Sequence, residues 1–251
     1  MNWTTTLRYA RAHLGRPQHA DDGAPARIGS LLHWASAPLL RAGAGGALID
    51  PALAADGVVG AISHLRLELD GALWRLHLAP DGDAAAAPRC LQLLLDDKQR
   101  VREAMLCQQL AAFVPDADEV AVFRGDSGRG LGTQDYTLWR DDTGALTPAR
   151  VAAAFGDQDH LDYARDVNPD AVFVAPLQAF ETRIDDAEGR RGRQGRVWLM
   201  PYARALSGGG TEYLLPQMAA YDSIDGDSTR RRACVEIWLA LPLEPDRVDI
   251  Q

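Results

Sequence analysis

The sequence has few of the residues that staple a fold or take it through a membrane. Only three cysteines, Cys90, Cys107 and Cys234, are spread over 251 residues, and none sits in a Cys-x-x-Cys pair. That spacing excludes a local zinc ribbon or redox dithiol. All three lie in apolar stretches and read as buried, reduced thiols. No apolar run approaches the roughly 18–20 residues of a membrane-spanning helix. The first twenty residues lack the apolar core of a secretory signal. Lysine is nearly absent, since Lys98 is the only one. These absences make a cytoplasmic protein the expectation.

The local signatures of catalysis are missing too. There is no Gly-x-Ser-x-Gly elbow for a serine nucleophile. The glycines at 128, 130 and 132 lack the spacing of a dinucleotide loop, and no Gly-Lys-Ser/Thr P-loop is present. This stretch reads as a turn. The formal charge is -9, from 26 basic and 35 acidic side chains. Phosphate neutralisation needs clustered Lys and Arg, so a general nucleic-acid binder is excluded.

What is present is globular composition, 47% hydrophobic and 24% charged, in a chain long enough to bury its own core. Alternating apolar residues dominate. Leu65, Leu67 and Leu69 alternate with Arg66, Glu68 and Asp70, and Leu73, Leu76 and Leu78 follow Asp70-Gly71. Asp-Gly between apolar runs predicts a hairpin. A third strand over 90–95 would extend it into a meander. Further strands are expected over 28–34, 47–51, 120–124, 136–140, 171–184, 197–206, 212–221 and 232–241. Helices are expected over 98–114, and over 148–156 with Thr147 as cap and Pro148 opening the first turn. The last residues, 242–251, read as an exposed tail or an edge strand. The fold class expected is α+β, predominantly antiparallel sheet with a few short helices. Three segments are expected: an N-terminal helix and linker over 1–26, then hairpin-rich halves over 27–124 and 125–251 that pack together.

Several clusters invite chemistry. Asp157, Asp159, His160, Asp162 and Asp166 could bind a divalent metal or do acid–base work, but no motif fixes their geometry and they read as a solvated acidic loop. Asp222, Asp225 and Asp227 miss the ligand spacing of a calcium loop. Cys107 and His160 carry no local dyad signature. His64 and His77 flank one hairpin and read as packing residues. Trp74, Trp198 and Trp238 lie within strand candidates and are expected in the core, where each ring buries about 150–250 Å². No metal or cofactor is expected.

The N-terminus reverses the chain's sign. Trp3, Leu7, Ala10 and Leu14 share one helical face, and Arg8, Arg11, His13 and Arg16 surround it with no acid before Asp21. A basic amphipathic helix with an aromatic anchor suits an acidic protein partner or an anionic membrane surface. Trp3, Leu7, Arg8, Arg11, Leu14 and Arg16 are the expected docking residues.

The order of blocks is also informative: ARIGSLLHW, CLQLLLDD, REAMLCQQLAAFVP, DYTLWRDD, VWLMPYARALSGGGTEYLLPQ and CVEIWLALPL. It resembles the YjfK-like proteins, a bacterial family of unknown function. The resemblance runs from about Ala26 to Leu243, and its most specific piece is Tyr202 and Arg204 followed by Glu212-Tyr213-Leu214-Leu215. The family has no established catalytic residues to carry over. It implies, by genomic association, a cytoplasmic accessory of a phage-shock-type membrane-stress system. The expected function is thus a non-catalytic interaction module. The alternatives are a metal-assisted hydrolase using Asp157, Asp159, His160 and Asp162, or a small-ligand-binding domain with an aromatic pocket.

Overall fold

Strands with both faces buried organise this chain. In the computed structural model, which describes residues 23–50, 56–67, 71–80, 86–96, 98–227 and 231–251, the apolar alternation folds into a four-strand meander. Its members are β2 (Asp56–Leu67), β3 (Gly71–Leu78), β4 (Arg89–Leu95) and β5 (Val101–Phe113). Four strands from the second half follow: β8 (Leu177–Ile184), β9 (Gly192–Leu199), β11 (Thr211–Ser223) and β12 (Arg232–Leu243). The ring runs β12-β5-β4-β3-β2-β8-β9-β11, and pairing of β11 with β12 closes it. Every pairing is antiparallel. Closure removes the open edges that a sheet of this length would expose.

The expected α+β class is therefore corrected. The protein is a closed eight-stranded β-barrel, 49% strand and 16% helix. Residues 27–124 and 125–251 supply four strands each to one ring, with β2 paired to β8 and β5 to β12.

The 98–114 helix is the instructive error. Val101, Met105, Leu106, Leu110 and Phe113 fit helical spacing, but the segment is strand β5. Met105 and Cys107 face the lumen while Ala104 and Leu106 are buried on the outer face. A strand buried on both sides loses its period-2 signature, and pairing with β4 and β12 decides its state. The reverse error falls at 120–124, which ends helix α2 (Ala117–Arg124). Asp116 accepts from the Glu119 amide at 2.8 Å and Glu119 accepts from the Asp116 amide at 2.9 Å, a reciprocal capping box. Helix α3 (Pro148–Phe155) begins as expected, with Thr147 accepting from the Arg150 amide.

Three shorter strands, β6 (Asp135–Trp139), β7 (His160–Arg165) and β10 (Tyr202–Ala205), extend the sheet beyond the N-terminal half of β11. The single strand expected over 197–206 divides at Pro201, which lacks the amide a continuous ladder would need. Strand β1 (Leu31–Trp34) lies between β2 and the C-terminal β13 (Val248–Ile250), and helix α1 (Ala37–Ala44) follows β1. Residues 47–49, expected as a strand, form a buried turn. The glycines at 130 and 132 serve loop packing: a Cβ there would lie 2.3 Å from the Val122 carbonyl oxygen and 2.0 Å from that of Val174.

A barrel characterises this protein, so the description by an amphipathic helix is also corrected. The three α-helices among the described residues are eight residues long each, and none of the described helices is long and apolar enough to cross a membrane.

Candidate functional site in the barrel lumen

The lumen has two ends of different chemistry. Leu67, Leu73, Leu94, Ala179 and Leu177 face inward at one end and are buried. Toward the other end the inward positions turn polar: Ser63, Arg75, His77, Gln92, Glu181, Arg193, Gln217, Tyr221 and Glu236. Arg75 on β3 spans the lumen. Its Nε donates to Gln92 Oε1 at 2.9 Å, and its Nη1 donates at 2.8 Å to Gln217 Oε1. Gln217 lies on β11, four strands from β3 in either direction round the ring. The chain continues as Gln217 Nε2 donates to Glu236 Oε2 at 2.7 Å and Arg193 Nη2 donates to Glu236 Oε1 at 3.1 Å. Trp238 Nε1 donates to the same carboxylate at 3.3 Å. Tyr221 donates to Glu181, with the Arg193 guanidinium 4.0 Å above its ring.

Electrostatics follow from this packing. Burial pushes the Glu236 carboxyl up, but Arg193 and Arg75 outweigh it and hold the group below its ordinary value. His77, bonded to Ser63 at 2.9 Å, is driven well below the ordinary imidazole value by burial and then by Arg183, Arg75 and Arg193. The imidazole is therefore neutral at pH 7.

Above this network the barrel opens into a cavity of about 1080 Å³. His77, Arg183, Arg193, Glu236, Trp238 and Cys234 line its inner part, and Leu78, Pro80, Pro88, Phe113 and Val114 line its rim. Arg193 Nε is buried and has no hydrogen-bond partner among the described residues.

Of the residues singled out from sequence, His77, Cys234 and Trp238 line the cavity, and the others fall elsewhere. Trp3, Leu7, Arg8, Arg11, Leu14 and Arg16 lie outside the described residues. The acidic stretch is partly strand: His160 and Asp162 project from the exposed face of β7, 3.5 Å apart, and Thr137 donates to Asp162. Among the described residues no three His, Cys, Asp or Glu side chains are grouped to hold a metal ion. His64 and His77 occupy opposite faces of their hairpin. His64 stacks on Trp74 outside the barrel, at 4.2 Å between ring centroids. Asp222 pairs with Arg231, and Asp225 accepts from Ser223 and the Asp227 amide. Trp74, Trp198 and Trp238 are buried. The three cysteines are buried and free; Cys90 and Cys107 are cross-strand neighbours in the lumen.

The hairpin at the centre of the family resemblance forms a second polar node, outside the lumen. Glu212, fully buried, accepts from Arg204 Nη2 at 2.7 Å, Tyr163 OH at 3.0 Å and the Leu48 amide at 2.6 Å. Arg204 also donates to the Gly46 carbonyl at 2.8 Å. These bonds fasten residues 46–49 to β7, β10 and β11.

The lumen residues were missed by the sequence reading, though a signal for them exists. Arg75 in ALWRLHL, Gln217 in YLLPQMAAY and Glu236 in CVEIWLAL each interrupt an otherwise apolar strand. A polar side chain at the centre of such a strand must find a buried partner.

No family model, no curated protein and no solved structure matches this chain. The likeness to the YjfK-like proteins thus rests on the sequence blocks alone. Fold and site together define an eight-stranded antiparallel barrel with one packed end and one polar, open end.

Proposed function

We propose that the protein binds a small organic molecule in the open end of its barrel. The carrying observation is the cavity of about 1080 Å³. Eight strands make an interior that either fills with side chains or holds one small ligand. Ligand pockets are typically about 300–1,000 Å³, mostly apolar, with a few placed polar groups. An apolar rim over an Arg193–Glu236–Trp238 floor fits that description. The interaction-module reading rests on missing catalytic motifs, on a family resemblance and on residues 1–16, which lie outside the described residues, so the lumen carries the proposal.

The test uses N-phenyl-1-naphthylamine, a neutral apolar probe whose fluorescence rises on leaving water. Saturable one-site binding is expected, and it should be lost in Ala112→Trp, which fills the cavity wall. Absence of saturable binding, or binding unchanged by the filling substitution, would contradict the proposal.

A further inference from the structure

The charge arrangement at the mouth carries the reading further. Four arginines, Arg89, Arg183, Arg193 and Arg232, line the cavity against two carboxylates, Asp185 and Glu236. Among the described lining residues arginines outnumber carboxylates by two, in a chain of formal charge -9, and Glu181 behind them also favours the Arg193 cation. Both carboxylates are already engaged, Asp185 by Arg183 Nε at 2.6 Å and Glu236 by Arg193 Nη2 at 3.1 Å. Arg183 and Arg193 are direct cross-strand partners on the lumen face. Like charges placed so are unfavourable; Asp185 and Glu236 offset part of the repulsion, and an anion between the two would offset more. Arg193 Nε is covered by its surroundings and donates to no described group, so a small shift of the side chain would let it take an acceptor. A buried donor left unmade is a standing cost that a ligand oxygen would remove.

The remaining lining limits the class of anion. Glu236 occupies the same floor, so a doubly charged head would meet a carboxylate at close range. Leu78, Ala112, Phe113, Val114 and Trp238 offer apolar surface around and above the arginines. We infer that the ligand is an amphiphilic monocarboxylate, its head held between the Arg183 and Arg193 guanidinium groups and its apolar body lying against Trp238 and the rim. This inference rests on the reading of the mouth as a ligand site.

The experiment compares decanoate, decanol and protonated decylamine as competitors of N-phenyl-1-naphthylamine. Decanoate should displace the probe at least tenfold more tightly than decanol, and decylamine should be weakest. Arg193→Gln should weaken decanoate at least tenfold more than it weakens decanol. Because Arg193→Gln strands Glu236, the double variant Arg193→Gln/Glu236→Gln removes the pair together and should show the same selective loss. Equal affinity for the three head groups in the unmodified protein would overturn the inference while leaving the ligand site standing. Equal loss of decanoate and decanol affinity in both variants would also overturn it. If neither the probe nor any of the three molecules binds, both the inference and the ligand site fall.

Discussion

Arg204–Glu212 and Arg193–Glu236 are both arginine–glutamate pairs in which the carboxylate is buried, and their surroundings differ. At the outer node every bond is short-range stitching: Glu212 takes donors from Arg204, Tyr163 and the chain at 48, and Arg204 also caps a carbonyl at 46. Those bonds use Arg204 Nε and Nη2. At the mouth Glu236 is equally well supplied, by Gln217, Trp238 and Arg193, but the covered Nε of Arg193 has no described partner, and the residue lines the larger cavity. The same two residue types thus serve fastening in one place and, in the proposed function, reception in the other. Each arginine lines a cavity, about 1080 Å³ at Arg193 and about 640 Å³ at Arg204; the covered, unpartnered Nε of Arg193 separates the two.

The comparison breaks most visibly at Glu212. Glu212→Gln removes the fully buried partner of a half-buried Arg204, leaving that charge with little compensation. A loss of about 3–5 kcal/mol is expected in urea denaturation. Glu236→Gln should cost less, about 1–3 kcal/mol, because the cavity lets water reach the Arg193 side. If the two substitutions cost the same, or the order reverses, the distinction between a sealed node and an open one fails.

Histidines sharpen the contrast between lumen and outer wall through pH. Burial and then Arg66 lower His64 to about 4, and His77 is lowered well below its ordinary value. A depressed imidazole pKa means the unfolded chain takes up protons that the folded chain refuses, so stability falls as pH drops. The fall should begin near about pH 6.5, the unfolded imidazole value, and continue toward the lowered folded values. His77→Gln and His64→Gln should each flatten the urea-measured stability profile in that window. A profile flat in the unmodified protein from pH 6.5 to 4.5 would contradict the burial of both rings. Asp96 enters only lower: burial raises it, but hydrogen bonds from Arg100 and Lys98 carry it to about 2, so its contribution is lost below the ordinary carboxylate range.

The exposed pair on β7 sets the lower bound. His160→Ala with Asp162→Ala should change stability by under about 0.5 kcal/mol, and added zinc should leave the melting temperature unchanged. A zinc-dependent rise lost in the double variant would move the functional site from the lumen to β7.

How much of this was legible depended on which faces of each strand are wet. The β2–β3 hairpin could be read because Arg66 and its neighbours face water while Leu65 and Leu67 face inward. Strand β5 could not, because its burial on both faces erases alternation and leaves a spacing that suits a helix equally well. Helix α2 was readable from Asp116 and Glu119, a capping pair whose signal was passed over in favour of the apolar residues after it. Barrel closure was not legible at all: it depends on β5 meeting β12 and β2 meeting β8, pairings between residues far apart in the chain. The site shares that fate. Arg75, Arg193 and Glu236 become neighbours only once the ring has closed, so no local spacing announces them.

Thiol accessibility tests the central claim, one open end and one packed end, most directly. Cys234 lines the cavity, whereas Cys90 and Cys107 lie in the lumen away from its lining. Burial and then Glu236 raise the Cys234 thiol, so labelling with methyl methanethiosulfonate belongs above about pH 8.5, where an ordinary thiol is half ionised. The account predicts that Cys234 is modified in the native protein and protected by N-phenyl-1-naphthylamine, while Cys90 and Cys107 react only at the rate of global unfolding. Reaction of all three at one common rate, with no protection by the probe, would contradict it.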